Sequence, residues 1–479
     1  MNKNINYIIG IACVAVILAT LGCSSPAKVP DLGGIYSDLA QHEDPYRNPV
    51  ILIPGLLGSK LVDADSETIV WGAFGTGTLK PNKPEGARLF GLPMQPGKNL
   101  QELKDRVTPA GTLDRVVVNF GGYPIERNTY AYILGVLGIG GYRDEQLHEA
   151  GLVDWGNAHF TCFQFAYDWR RDLVESAKRL DRFIQEKKRY VEEQIALRFG
   201  IKDRDVKFDI VAHSMGGLVA RYYLRYGAQD LPPDGSLPEP TWAGASYVDN
   251  LIMVGTPNAG SIQSLEVLVE GFKPAVLLPR YPAAVLGTLP AVYMFLPRNR
   301  RLPLLDANNQ PVEDIYDPAL WIQQRWGLAD PDQDSVLQML LPNSADDTKR
   351  RQVAVDHLKK CLARARQFSE AMDRPARFPA GLQYYLVAGD SEDTAQTARI
   401  QSDGALKIVA TGPGDGTVLR SSALLDERLS DNRNFRLVSP IPWSDVMFLF
   451  SSHRNITNDP VFTDNLLFIL LEKPRGPKL

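Results

Sequence analysis

The sequence predicts an α/β fold, a mostly parallel sheet with helices on both faces and an inserted cap or lid region. Three observations carry that prediction. Short apolar runs bounded by Gly and Pro alternate with longer segments of helical period, which is the rhythm of a parallel sheet covered on both sides. One run leads through Ala212-His213-Ser214-Met215-Gly216-Gly217 straight into a helical segment. The composition, 44% apolar and 23% charged over 479 residues, is that of a globular protein with a sizeable core. The net charge of −4 argues against nucleic acid as a partner, since phosphate affinity rests on a basic surface.

The first residues stand apart from the fold. After Lys3, residues 8–21 form an apolar run too short to span a bilayer comfortably but suited to a signal peptide. It ends in Leu21-Gly22-Cys23-Ser24-Ser25-Pro26, which resembles the lipobox of bacterial lipoproteins, with Thr20 departing from the usual leucine. The resemblance implies a signal over residues 1–22, lipid on Cys23, and a place in the bacterial cell envelope, on the outer membrane or the periplasmic face of the inner one. An ordinary cleaved signal and an uncleaved anchor are the alternatives. Residues 23–48, broken by Pro26, Pro30, Gly33 and Gly34, read as a tether. The folded domain is expected over residues 49–479.

Residues 49–53 (Pro-Val-Ile-Leu-Ile) read as a buried strand closed by Pro54 and Gly55. Residues 62–122, rich in Gly and Pro and without a period, read as an excursion of loops. From Asp172 to Gly200 the period becomes helical, with Leu173, Ala177, Leu180, Ile184, Val191, Ile195 and Phe199 on one stripe and Gly200 as a stop. Residues 206–211 are a strand, 218–226 a helix, and 250–254, 383–387 and 435–438 further strands. Residues 261–380 leave this rhythm and form the expected cap. Its apolar stretch includes Leu277 and Leu278 among prolines, with Arg280, Arg298, Arg300 and Arg301 nearby. That stretch reads either as extra core or as a lid facing lipid. Cys162 and Cys361 either pair or stay as buried thiols. No CxxC or HExxH spacing exists, so neither a metal nor a cofactor is called for.

The serine turn carries the chemistry. Small residues flank Ser214 at two positions on each side, as a nucleophile held on a sharp strand-to-helix turn requires, and this arrangement defines the α/β-hydrolase fold. In such folds an acid and then a histidine follow the serine in the chain. Of the six histidines, His42, His148 and His159 precede it and His213 adjoins it. His357 sits in the charged stretch Asp356-His357-Leu358-Lys359-Lys360, where a solvated face explains it. His453 is the general base by elimination. Two aspartates qualify as the acid: Asp390, ending one strand, and Asp415, in Gly412-Pro413-Gly414-Asp415-Gly416-Thr417-Val418, a loop able to hold a carboxylate against backbone amides. For the oxyanion hole, the amide of Met215 is joined by that of Leu56 in Pro54-Gly55-Leu56-Leu57-Gly58-Ser59.

Taken together these segments resemble the lecithin:cholesterol acyltransferase family, which includes lysosomal phospholipase A2 and phospholipid:diacylglycerol acyltransferases. The matching pieces are residues 49–61, Ile69-Val70-Trp71, Gly141-Tyr142, Ala166-Tyr167-Asp168-Trp169-Arg170, the serine turn and Gly255-Thr256-Pro257-Asn258-Ala259-Gly260-Ser261. Tyr293-Met294-Phe295-Leu296-Pro297, Gly414-Asp415-Gly416-Thr417-Val418 and His453 complete the set, in the family's order. The resemblance implies a triad of Ser214, Asp415 and His453. It implies a serine-dependent acyltransferase or ester hydrolase acting on lipid esters, phospholipids foremost, through an acyl-enzyme. A lipase or carboxylesterase without acyl transfer, and an inactive lipid- or partner-binding lipoprotein, are the rival readings. The membrane is an expected partner through the lipid anchor, with the cap a second candidate surface. The chain lacks the cysteine-closed loop that animal members carry near Trp71.

Overall fold

The computed structural model describes residues 29–75, 79–113, 115–120, 123–128, 130–273, 279–298, 303–428 and 436–473. Cys23 and the rest of the signal segment lie outside them, as do Leu277, Leu278, Arg300 and Arg301 of the cap.

Six strands form a parallel sheet: β1 (Val50–Ile53), β2 (Cys162–Gln164), β3 (Phe208–His213), β4 (Val248–Val254), β5 (Gln383–Gly389) and β6 (Asp445–Leu449). Their order is β6-β5-β4-β3-β1-β2. Register places Ile53 beside Ala212 and Val254 beside His213, so three strands end together around Ser214. Because successive side chains of a strand point to opposite faces, β1 feeds two cores at once. Ile51 and Ile53 join Ile210, Leu251 and Met253 on one face, and Val50 and Leu52 join Val211, Ile252 and Val254 on the other. A strand covered on both sides needs no polar residue, which is why these runs read as continuous apolar segments.

The helices include α1 (Leu32–Gln41), α2 (Leu173–Phe199), α3 (Met215–Tyr226), α4 (Asp347–Asp373) and α5 (Pro460–Leu467). The first sheet face is covered by α2 and α3, with α4 packed on α3 through Phe368 against Tyr222, and the second by α5 and a helix over Ala131–Ile139. Asp172 caps α2 by accepting from the Val174 amide, and Gly200 ends it in the left-handed conformation. The expected stripe from Leu173 to Ile195 is buried, and Phe199 packs at its edge.

Three expectations need correction. Within the supposed tether, residues 32–41 are helix α1, whose Leu32 and Tyr36 are buried against Val136 and Leu467. The Tyr36 hydroxyl bonds Asp464 of α5, so this stretch is docked and not merely a spacer. The excursion over 62–122 is not all loop: it contains strands at Ile69–Trp71 and Val107–Thr112 and a helix at Pro84–Phe90. Residues 436–438 make no strand, and β6 supplies the last one.

Between β4 and β5 the chain runs mainly through helices, among them Ile262–Glu270, Asp334–Leu340 and α4. Their apolar side chains turn inward: Leu265, Leu268, Val285, Leu286, Val292, Met294 and Leu296 belong to the same core as the sheet. Arg298 is paired with Asp373, and Arg280 bonds the Glu270 carbonyl. These described apolar side chains of the stretch are therefore buried. His357 does not sit on a solvated face either, being buried with Nε2 donating to the Thr288 carbonyl at 3.0 Å. Cys162 and Cys361 are both free and buried, and they belong to separate cores.

Candidate active site

Ser214 sits at the junction of β3 and α3 with φ 53° and ψ −125°, a conformation few non-glycine residues adopt. Its own amide bonds the Val254 carbonyl at 2.8 Å, anchoring the turn to the neighbouring strand. The sharp turn presses backbones together. A β-carbon on Gly216 would come within 2.5 Å of the Pro54 carbonyl oxygen, and one on Gly217 within 2.0 Å of the Thr256 hydroxyl. That crowding is the reason for two glycines after Met215.

The Ser214 hydroxyl lies 2.9 Å from Nε2 of His453, and Nδ1 of His453 lies 2.7 Å from Oδ2 of Asp415. The buried Asp415 carboxylate also accepts from the amides of Thr417 at 3.0 Å and Val418 at 2.7 Å through Oδ1. The His453 amide bonds the Asp415 carbonyl at 2.8 Å, so the two loops are tied by backbone as well as by side chain. With Nδ1–H donated to Asp415, the bare Nε2 accepts from the serine hydroxyl. Gly255, at φ 59°, forms the floor. A β-carbon there would meet His453 Nδ1 at 3.1 Å and Asp415 Oδ2 at 3.3 Å.

The other acid that the sequence allows is committed elsewhere. Asp390 accepts from Arg420 at 2.7 Å, with the guanidinium stacked on Phe448. The His213 ring turns away from the serine. Burial, helped by the nearby His453 ring, pushes its pKa down to about 3, so it stays neutral.

The turn holding Leu56 lies against the nucleophile: a β-carbon on Gly55 would stand 2.7 Å from the Ser214 β-carbon. Met215 donates the first amide of α3, which has no carbonyl one turn back to bond. Several side chains brace the Leu56 turn. Trp71 donates to the Leu57 carbonyl at 2.8 Å, Tyr167 to that of Pro54 at 2.9 Å, and Trp169 to that of Ser59 at 3.0 Å. Arg170, fully buried, donates to Asp168, to Asp105 and to the Leu89 carbonyl. The segment Tyr167-Asp168-Trp169-Arg170 thus supports this turn from behind. Tyr130, which the sequence reading passed over, bonds both the Gly55 amide and His213. No local pattern marks it, because its partners lie far away in the chain. Among the described residues no cluster of His, Cys, Asp or Glu could hold a metal ion, and no helix is long and apolar enough to cross a membrane.

The six-stranded parallel sheet, helices on both faces and a serine turn at the strand ends define an α/β-hydrolase. The family model described as lecithin:cholesterol acyltransferase matches residues 145–398, more than half of the chain, and the chain belongs to that family. No curated protein matches it. Among solved structures it is similar to a chain in "The crystal structure of Tle4-Tli4 complex", at 16% identity and TM-score 0.54, with 88% of this chain and 98% of that one covered. EstA from Clostridium botulinum aligns at 11% identity and TM-score 0.33, over 95% and 93% of the two chains. Lipase 1 from Pelosinus fermentans aligns at 12% and 0.33, over 90% and 100%. At such identities the likeness to the first is one of fold. Family membership makes this an enzyme of lipid ester hydrolysis or acyl transfer.

Proposed function

We propose that the chain cleaves the ester of a glycerophospholipid or neutral lipid by way of an acyl-enzyme. Ser214 Oγ forms the new bond to the ester carbonyl carbon while its proton passes to Nε2 of His453. Asp415 holds the imidazole in the required tautomer and faces the positive charge that develops there. The amides of Leu56 and Met215 receive the carbonyl oxygen as it becomes an oxyanion. His453 then returns its proton to the departing alcohol, such as a lysolipid. Water or a second alcohol, deprotonated by the same histidine, takes the acyl group and frees the serine. The observation that carries this reading is the unbroken line from the Ser214 hydroxyl through His453 to Asp415 at the strand ends.

The test is labelling with a fluorophosphonate, followed by product analysis on phosphatidylcholine vesicles with and without a long-chain alcohol. Wild type is expected to label and to release fatty acid or form new ester, and Ser214→Ala to do neither while remaining folded. Turnover by Ser214→Ala would overturn the proposal, and absence of labelling in wild type would favour a binding protein with an idle triad. We further propose that Cys23 is lipidated and tethers the chain in the cell envelope. Cys23→Ala is then expected to take up no labelled palmitate and to move to the soluble fraction. Continued membrane association without label would refute the anchor.

A further inference from the structure

We propose that Tyr130 and His213 are positioning residues that join the oxyanion turn to the catalytic histidine through one line of hydrogen bonds. This deepens the proposed function and rests on it. The Gly55 amide donates to the Tyr130 oxygen at 2.9 Å. That oxygen lies 2.9 Å from Nδ1 of His213, and Nε2 of His213 lies 3.2 Å from the carbonyl oxygen of His453. One arrangement of protons satisfies all three contacts. An amide can only donate, so the Tyr130 oxygen accepts from Gly55 and spends its single hydrogen on Nδ1. Nδ1 is then bare, and the ring carries its hydrogen on Nε2, where a carbonyl awaits it.

The line connects two segments that are distant in sequence and lie on different sides of Ser214. Gly55 precedes Leu56, whose amide faces the oxyanion in the proposed mechanism. His453 is the base, and its carbonyl is the last acceptor. Both groups must hold position within a few tenths of an ångström as charge develops, and neither segment is part of a regular element there. Tyr130 is buried, sitting just ahead of the helix Ala131–Ile139 and backed by Ile133 and Leu134, so its hydroxyl is carried on a rigid support. The neutral state of His213 serves the same end. A protonated ring would donate from both nitrogens, leaving the Tyr130 proton without an acceptor. It would also place a like charge 5.1 Å, ring centre to ring centre, from the imidazolium that His453 becomes.

The experiment compares Tyr130→Phe, His213→Leu, His213→Gln and the double variant Tyr130→Phe/His213→Leu in the full chain, with a soluble short-chain ester as substrate. Tyr130→Phe is expected to lower kcat roughly 10- to 100-fold, the scale of a small displacement of catalytic groups, with KM within about twofold and the melting temperature little changed. His213→Gln places an amide donor near the position of Nε2, so it is expected to recover most of what His213→Leu loses. Because the groups act in one line, the double variant should be no slower than the slower single variant. Wild-type kcat in Tyr130→Phe would overturn the proposal. So would losses that multiply in the double variant and track a fall in melting temperature. Ser214→Ala, run alongside, separates the two claims. If it retains turnover, the proposed function fails, and if it is inactive while Tyr130→Phe is fully active, only the positioning line fails.

Discussion

Asp390 and Asp415 are chemically the same residue, and each follows a strand within reach of the sheet's active edge. Their surroundings separate them. Asp415 is buried, receives two backbone amides on one oxygen and His453 on the other, and so presents a fixed carboxylate to a single partner. Asp390 is neutralised by Arg420. Asp415→Asn is therefore expected to cut kcat roughly 10⁴-fold, since an amide favours the wrong imidazole tautomer, and Asp390→Asn to change it little. Turnover of a soluble ester by the two variants decides the matter, and the reverse ranking would move the acid to the earlier strand. Chain order and chemistry narrowed the base to His453 in the sequence. They left the acid to a choice between two loops, because which loop closes on the histidine is a long-range fact.

At the scale of elements, the Leu56 turn depends on a neighbour that provides no chemistry itself. Arg170 and Asp168 form a buried pair behind it, joined by Asp105 and the carbonyls of Leu89 and Phe90. Removing one member of a buried pair strands the other's charge. Arg170→Met is expected to cost about 3–5 kcal/mol of unfolding free energy, measured by urea denaturation, and to lower kcat as the turn loosens. A loss below about 1 kcal/mol would show that water readily replaces the arginine. Elements themselves differed in how far they could be read. The period of α2 is carried by local side chains, and so are its cap at Asp172 and its stop at Gly200. β6 and residues 435–438 look alike in the sequence, since both stretches are short and apolar, and it is pairing with β5 that makes the former a strand. The antiparallel pair Glu392–Ile400 and Leu406–Gly414, which delivers Asp415, was missed. Its one local signal was Asp403-Gly404 in the connecting turn.

Over the whole molecule, stability should depend on acidity through buried neutral histidines. Burial lowers His357 to about 4, against 6.5 for an ordinary histidine, while it ties α4 to the Thr288 carbonyl. Below about pH 6.5 the unfolded chain takes up this proton and the native one does not. The contribution is therefore whole above that pH and is lost as pH falls toward 4, by up to about 3 kcal/mol. His213, at about 3, and His159, at about 4, act in the same direction. His357→Gln is expected to flatten the fall in melting temperature between pH 6.5 and 4, and an unchanged slope would assign the acid limb to other groups. The sequence by itself determined the α/β class, the strand–Ser214–helix turn and the histidine, because apolar period, small residues at a crowded turn and chain order are all local. Only the tertiary structure brought Asp415, which the family resemblance had implied, onto His453 in place of Asp390, set Tyr130 and His213 behind the site, and turned the described apolar side chains of the cap inward. Those outcomes follow from which distant backbones come within a hydrogen bond's length of one another, and local period contains no information about that.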